Sequence, residues 1–192
     1  MLKVLITYAI EEERVVIDVH GWDVKYVCTG LGKAKSVMRL MDAIHTCRPD
    51  LVINEGTAAT LNHGVDDIFV CCHFIDRDFA KLKIPGLDYE QDTTDLLVKY
   101  NLFDNLAPTA ICNTGDSFLV DAPDSDGDVF DMEAYAEALV CVEKKIPFLA
   151  VKCVTDVIGQ NSVEDWKDKL TDANVRLTQF FQTIHKDGSL AH

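Results

Sequence analysis

Residues 33–54 read KAKSVMRLMDAIHTCRPDLVIN. Val37, Leu40, Met41 and Ile44 recur at i, i+3, i+4 and i+7, which sets them on one face of a helix from about Lys33 to Cys47. Pro49 ends that helix, because its ring cannot continue the hydrogen-bond ladder. Leu51 to Asn54 follows at once as a short apolar strand. A one-faced helix feeding a strand buried on both sides is the unit from which layered α/β proteins are built.

The same alternation extends in both directions. Lys3 to Thr7 reads as a buried first strand. Arg14 to Val19 and Asp23 to Val27 read as two strands around a turn at His20-Gly21-Trp22. Downstream, Ile68 to Phe74, Thr109 to Asn113 and Phe148 to Thr155 read as strands, and Asp95 to Tyr100 as a short helix. Met132 to Lys145 is an alanine-rich helix stopped by Pro147. The last helix runs from about Val163 to His185, with Ser162 as N-cap and Asp165 three residues on. Its apolar stripe is Trp166, Leu170, Ala173, Leu177, Phe180, Phe181 and Ile184. Ile75 to Asp95, which carries Pro85-Gly86, is the main loop, and Gly115 to Asp131 is a polar, acidic connection. The expected architecture is a mixed central sheet between helices, with ligands beyond the strand ends.

The chain has 192 residues, 48% apolar and 26% charged, so it is expected to form a single domain over 1–192. No apolar run approaches the ~18 residues of a membrane span, and the N-terminus enters a strand directly, with no expected signal peptide. Eighteen Lys and Arg face 32 Asp and Glu, a net charge of −14. That field repels nucleic acid and anionic membranes, so neither is an expected partner. The seven cysteines are odd in number, contain no CxxC pair and sit mostly in apolar stretches, which reads as reduced core thiols.

Several motifs have bland readings that outweigh the sharp ones. Thr29-Gly30-Leu31-Gly32-Lys33 lacks the spacing of a phosphate loop and reads as a tight turn into a helix. In Asp124-Ser125-Asp126-Gly127-Asp128 the glycine falls at position four of the run and Tyr135 at twelve, which excludes an EF-hand. Cys71 and Cys72 point to opposite faces of one strand, so a shared metal ion is disfavoured and no metal or cofactor is expected. Glu13, Glu133 and Asp156 each fall at a strand end or helix start. Spacing alone makes them helix-dipole partners and a turn residue.

In order along the chain, Ile6-Thr7-Tyr8-Ala9-Ile10-Glu11-Glu12-Glu13, Thr29-Gly30-Leu31-Gly32-Lys33 and Arg48-Pro49-Asp50-Leu51-Val52-Ile53-Asn54-Glu55-Gly56-Thr57-Ala58 are followed by three further segments. These are Asn113-Thr114-Gly115-Asp116-Ser117-Phe118-Leu119, Phe130-Asp131-Met132-Glu133-Ala134 and Val151-Lys152-Cys153-Val154-Thr155-Asp156. Together they resemble the 5′-methylthioadenosine/S-adenosylhomocysteine nucleosidases of the purine nucleoside phosphorylase superfamily. The resemblance implies a three-layer αβα sandwich, N-glycosidic hydrolysis in methionine salvage, and a cytoplasmic homodimer acting on a small nucleoside. It assigns Glu13 as the water-activating residue, Asp156 as the acid at the purine ring and Glu133 as the ribose-binding carboxylate. Met132 is implied to pack on the sugar, Phe118 and Leu119 on the purine, and Thr57 and Ala58 to line the floor. Glu55 and Ala59-Thr60 stand where the family has smaller residues or glycine, and are expected to narrow the pocket. Thr155 stands where the family commonly has Ser.

These residue types suit the chemistry. Adenine leaves poorly until a ring nitrogen is protonated, and general acid–base help is worth about 10² to 10⁴-fold. Nearby carboxylates stabilise the oxocarbenium character that develops at the anomeric carbon. Two alternatives stand beside hydrolysis: a phosphate-dependent phosphorylase, for which Lys33 and Arg77 are candidate cations, and a non-catalytic nucleoside-binding relative.

Overall fold

A computed structural model describes residues 1–97, 109–160 and 163–186. Strands β1 (Leu2–Tyr8), β2 (Trp22–Cys28) and β3 (Leu51–Thr60) are separated by a 3₁₀ turn (Glu11–Glu13) and helix α1 (Lys33–Cys47). Then come β4 (Ile68–Asp76), α2 (Arg77–Ala80), β5 (Glu90–Asp92), α3 (Thr94–Leu97) and β6 (Thr109–Thr114). The chain continues through β7 (Val129–Asp131), α4 (Ala134–Lys144), β8 (Phe148–Val157) and α5 (Val163–Lys186). The remainder of the expected Asp95–Tyr100 helix, the Ser162 cap and the Ile184 side chain lie outside the described residues.

All eight strands join one mixed sheet in the order β2-β1-β3-β7-β6-β4-β5, with β8 paired to both β3 and β4. Because β3 also meets β7 at Ala59 and Phe130, the strands β3, β8, β4, β6 and β7 pair around a closed ring. Helices cover both faces. Leu177 and Phe181 of α5 pack with Ile6, Ile53 and Val151 on one side, and Leu40 of α1 and Ala138 of α4 with Leu5, Val52 and Phe148 on the other. Each such fully buried side chain contributes about 1.5–3 kcal/mol. Cys71 and Cys72 face opposite layers, as the strand period requires.

Two sequence expectations need correction. Arg14–Val19 is not a strand, and it forms no hairpin with β2, because β2 runs parallel to β1. Parallel neighbours need a crossover, and this segment supplies it by lying over the sheet face. Val15, Ile17 and Val19 are buried in the α5-side core while Arg14, Val16 and Asp18 are exposed. The period of two in the sequence therefore records burial without pairing. Its backbone donors go to side chains instead: Val15 N–H to Glu55 Oε1 at 3.0 Å and Ile17 N–H to the Tyr26 hydroxyl at 2.7 Å. The second correction is that the two expected loops hold α2, β5 and β7, elements too short to show a period.

Candidate functional site

The C-terminal parts of β3, β7 and β8 and the segments that follow β1 and β6 line one cavity of about 260 Å³. Glu13, Thr57, Ala58, Phe118, Leu119, Met132, Glu133 and Asp156, the residues singled out from the sequence, all line it. Ala9, Leu31, Arg77, Val163 and Trp166 are also part of the wall. Most of this lining is apolar, so the carboxylates work in a largely desolvated setting.

Glu13 ends the 3₁₀ turn and is buried. Its Oε1 accepts from the Thr57 N–H at 3.0 Å and the Thr57 hydroxyl at 2.6 Å. That hydroxyl in turn accepts from Trp166 Nε1 at 2.9 Å, so α5 and β3 together orient the carboxylate. A Cβ at Gly56 would come within 3.3 Å of Glu13 Oε1, so glycine leaves the space that the acid occupies. Asn174 of α5 adds a hydrogen bond to the Glu12 carbonyl at 2.6 Å.

Asp156 lies inside β8, opposite Ala59 at a register shift, and is buried. It is therefore not a turn residue. The Thr155 hydroxyl donates to its Oδ1 at 2.7 Å, a bond that any residue with a hydroxyl at that position could make.

Glu133 occupies the cap position of α4 without capping it. Asp131 does so instead, accepting from the Ala134 N–H at 2.9 Å. The Glu133 carboxylate turns to the Gly32 N–H at 2.8 Å. Burial, reinforced by the Asp131 charge, pushes Glu133 up to about 8. Asp131 itself sits with Lys152 in a buried ion pair at 2.8 Å. Burial opposes its ionisation, but Lys152 and the Thr114 hydroxyl hold it below the ordinary carboxylate range.

The two candidate phosphate cations are both engaged. Lys33 Nζ pairs with Asp76 at 2.9 Å and Asp78 at 3.0 Å. Arg77 is 1% exposed and donates to four backbone carbonyls, those of Asn113, Asp131, Gly115 and Ser117. Its grip on Gly115 and Ser117 sets the loop that carries Phe118 and Leu119.

The expected narrowing of the pocket by Glu55 is not what the structure shows. Glu55 is absent from the cavity wall and points to Val15, while the Thr60 hydroxyl donates to the Asp128 carbonyl at 2.8 Å. Only Ala59 of that group reaches the cavity. Sequence reasoning overlooked Trp166, which reads as one member of an apolar stripe. Its signal was a ring with a polar N–H near the start of a helix.

A family model described as Phosphorylase superfamily matches residues 7–186. A protein of Geobacillus sp. (strain WCH70), named 5′-methylthioadenosine/S-adenosylhomocysteine nucleosidase, is 27% identical over 192 residues, covering 87% of this chain and 77% of that protein. Among solved structures, a nucleosidase of the same name from Colwellia psychrerythraea 34H in complex with adenine superposes with a TM-score of 0.77 at 21% identity, over 98% of this chain and 96% of that one. The futalosine hydrolase of Helicobacter pylori gives 0.76 at 15% identity, over 97% of each chain. These two likenesses place the fold, a nucleoside phosphorylase-like α/β sandwich.

Proposed function

We propose that this chain, which belongs to the phosphorylase superfamily, is a nucleosidase that hydrolyses the N-glycosidic bond of an adenine nucleoside, with 5′-methylthioadenosine and S-adenosylhomocysteine as its substrates. The observation that carries the reading is that Glu13, Asp156 and Glu133 meet on one apolar cavity. A binding protein has no need of two carboxylates beside a third.

Asp156 gives a proton to the leaving base, which turns adenine from a poor leaving group into a neutral one. Phe118 and Leu119 hold the purine plane, and Met132 packs against the sugar. Glu133 accepts the ribose hydroxyls. Positive charge builds on the ribose as the bond lengthens, and the carboxylates around it oppose that charge. Glu13, fixed through Thr57, holds a water on the far side and takes its proton as the oxygen bonds to the anomeric carbon. Thr57 and Ala58 form the floor. The products are adenine and the free sugar.

Phosphorolysis fits less well. Phosphate needs cations with several unused donors; Lys33 is committed to Asp76 and Asp78, and Arg77 gives both terminal nitrogens to backbone carbonyls, which leaves it the Nε–H alone. The reading extends to a cytoplasmic homodimer in methionine salvage, acting without metal or cofactor. Seven unpaired cysteines fit a reducing compartment. Leu31 on the cavity wall and Met38 on α1 leave apolar surface exposed for a second copy.

Purified protein is incubated with a panel of adenine nucleosides, with and without phosphate. Release of free base and unphosphorylated sugar at a rate indifferent to phosphate is the expected result. A sugar 1-phosphate that rises with phosphate would establish phosphorolysis in its place.

A further inference from the structure

Glu55 plays no part in the chemistry described above, yet it is 1% exposed and carries an Oε2 with no hydrogen-bond partner. Leu51 and Ile53 face the α5-side core, so on β3 the residues that follow at the same period, Glu55 and Thr57, share that face. Thr57 holds the Glu13 side chain, and Glu55 Oε1 accepts from the Val15 N–H two residues farther along the chain. Two successive positions on one strand face thus grip both ends of the segment Glu13–Val15. This segment has no ladder of its own, so these contacts take the place of strand pairing.

We propose that Glu55 is a positioning residue for Glu13, its carboxyl pinning the backbone immediately past the turn that presents the water-activating acid. The proposal rests on the nucleosidase reading and adds to it a residue that never touches substrate.

Neutral, the carboxyl accepts the Val15 N–H on one oxygen and carries a proton on the other; ionised, it would hold that N–H more tightly but as a buried charge. Burial, followed by the neighbouring Glu13 charge, pushes Glu55 up to about 8, opposed first by the Val15 N–H and then by Lys152 of β8 and Arg14 of the crossover. Ionised, it would set a second buried anion beside Glu13 with an oxygen that nothing satisfies, an arrangement the interior does not tolerate well. Above that pH it is the repulsion between two buried anions, and not a loss of the Val15 bond, that disturbs the placement of Glu13.

The test compares wild type, Glu55→Gln and Glu55→Ala. Release of adenine from 5′-methylthioadenosine is followed from about pH 5 to about pH 10, with folding checked by circular dichroism. Glu55→Ala is expected to lower kcat about 10²-fold with little change in KM, as a misplaced catalytic group does. Glu55→Gln keeps an oxygen acceptor without a proton to lose. It restores most of kcat and moves the alkaline limb of the profile to higher pH. A folded Glu55→Ala with wild-type kcat, or a Glu55→Gln profile that superimposes on wild type, overturns the proposal, and the latter decides it if Glu55→Ala does not fold. Hydrogen exchange of the Val15 amide reads the clamp without turnover: protection in wild type and Glu55→Gln below neutral pH, and loss in Glu55→Ala. Equal exchange in all three overturns it. A wild type that releases no base, with Val15 exchange as expected, counts against the nucleosidase reading alone.

Discussion

The backbone N–H of Gly32 donates to the Glu133 carboxylate at 2.8 Å, which joins the start of α1 to the start of α4 across 101 residues of sequence. Both glycines of that turn have positive φ, 82° at Gly30 and 91° at Gly32, a region other residues enter at a cost. The turn therefore does more than begin a helix. It aims a donor at the carboxylate proposed to bind the sugar.

Glu133→Gln should weaken nucleosides bearing both ribose hydroxyls far more than their 2′-deoxy analogues, because an ionised acceptor bonds hydroxyls about twice as strongly as a neutral one. Glu133 is pushed up to about 8 by burial, so binding that favours its ionised form should release a proton at neutral pH, and KM should fall as pH rises toward that value. Initial rates on both substrate types measure the difference. Equal losses would remove Glu133 from the sugar.

Asp156→Asn keeps the shape of the side chain but cannot deliver a proton to the leaving base. The expected loss in kcat is about 10² to 10⁴-fold, with binding of adenine largely kept. Single-turnover kinetics separates the two. Near wild-type base release would take the acid role from Asp156.

Arg77→Met should be a folding variant rather than a purely catalytic one. It takes a donor from four backbone carbonyls in the interior, of which that of Asp131 keeps the Gly115 N–H, and each left unsatisfied costs about 1–3 kcal/mol. A loss of more than about 3 kcal/mol is expected, read as a lower urea midpoint with an unchanged slope. A variant as stable as wild type would show that the carbonyls find other donors.

Stability should fall as pH rises from about 5 to about 8. Glu55 and Glu133 are pushed up to about 8 and Glu137 to about 7, all by burial. An unfolded glutamate titrates near ~4.3, so in this window the folded chain binds more protons than the unfolded one. The stabilisation is complete below the unfolded value and is lost as pH passes through the folded one. Thermal midpoints across this range test the sign, and Glu55→Gln should flatten the slope. A midpoint that climbs with pH would mean these acids are ionised in the fold.

Local signals carried far in this sequence where one physical cause dominated. The bounds of α1 match the expectation at both ends, because an apolar face and Pro49 act on the same fifteen residues. β3 was expected to stop at Asn54, where the apolar run ends, yet it continues to Thr60. Its polar residues take partners far off in the chain: Asn54 bonds Glu137, Glu55 bonds Val15 and Thr57 bonds Glu13. Period and propensity hold no record of such partners. The site residues, likewise, could be assembled only through resemblance, since each alone reads as a cap or a turn. The hold of Arg77 on backbone carbonyls and the Lys152–Asp131 pair stayed hidden for the same reason: the role of a buried charge is recognisable only with its partner in view.

The crossover from Arg14 to Val19 is anchored at Val15 and Ile17 by side-chain acceptors, and it ends at Gly21, where a Cβ would meet nothing within 4 Å. A strand in a ladder transmits any insertion to its neighbours, because a shift of one residue inverts every side chain beyond it. A segment pinned at two points does not. Residues can be gained beside His20, which is exposed, while Glu13 stays where Thr57 holds it. The length of this connection is thereby uncoupled from catalysis, leaving it free to drift over evolutionary time and making it the natural place to splice in a tag or sensor.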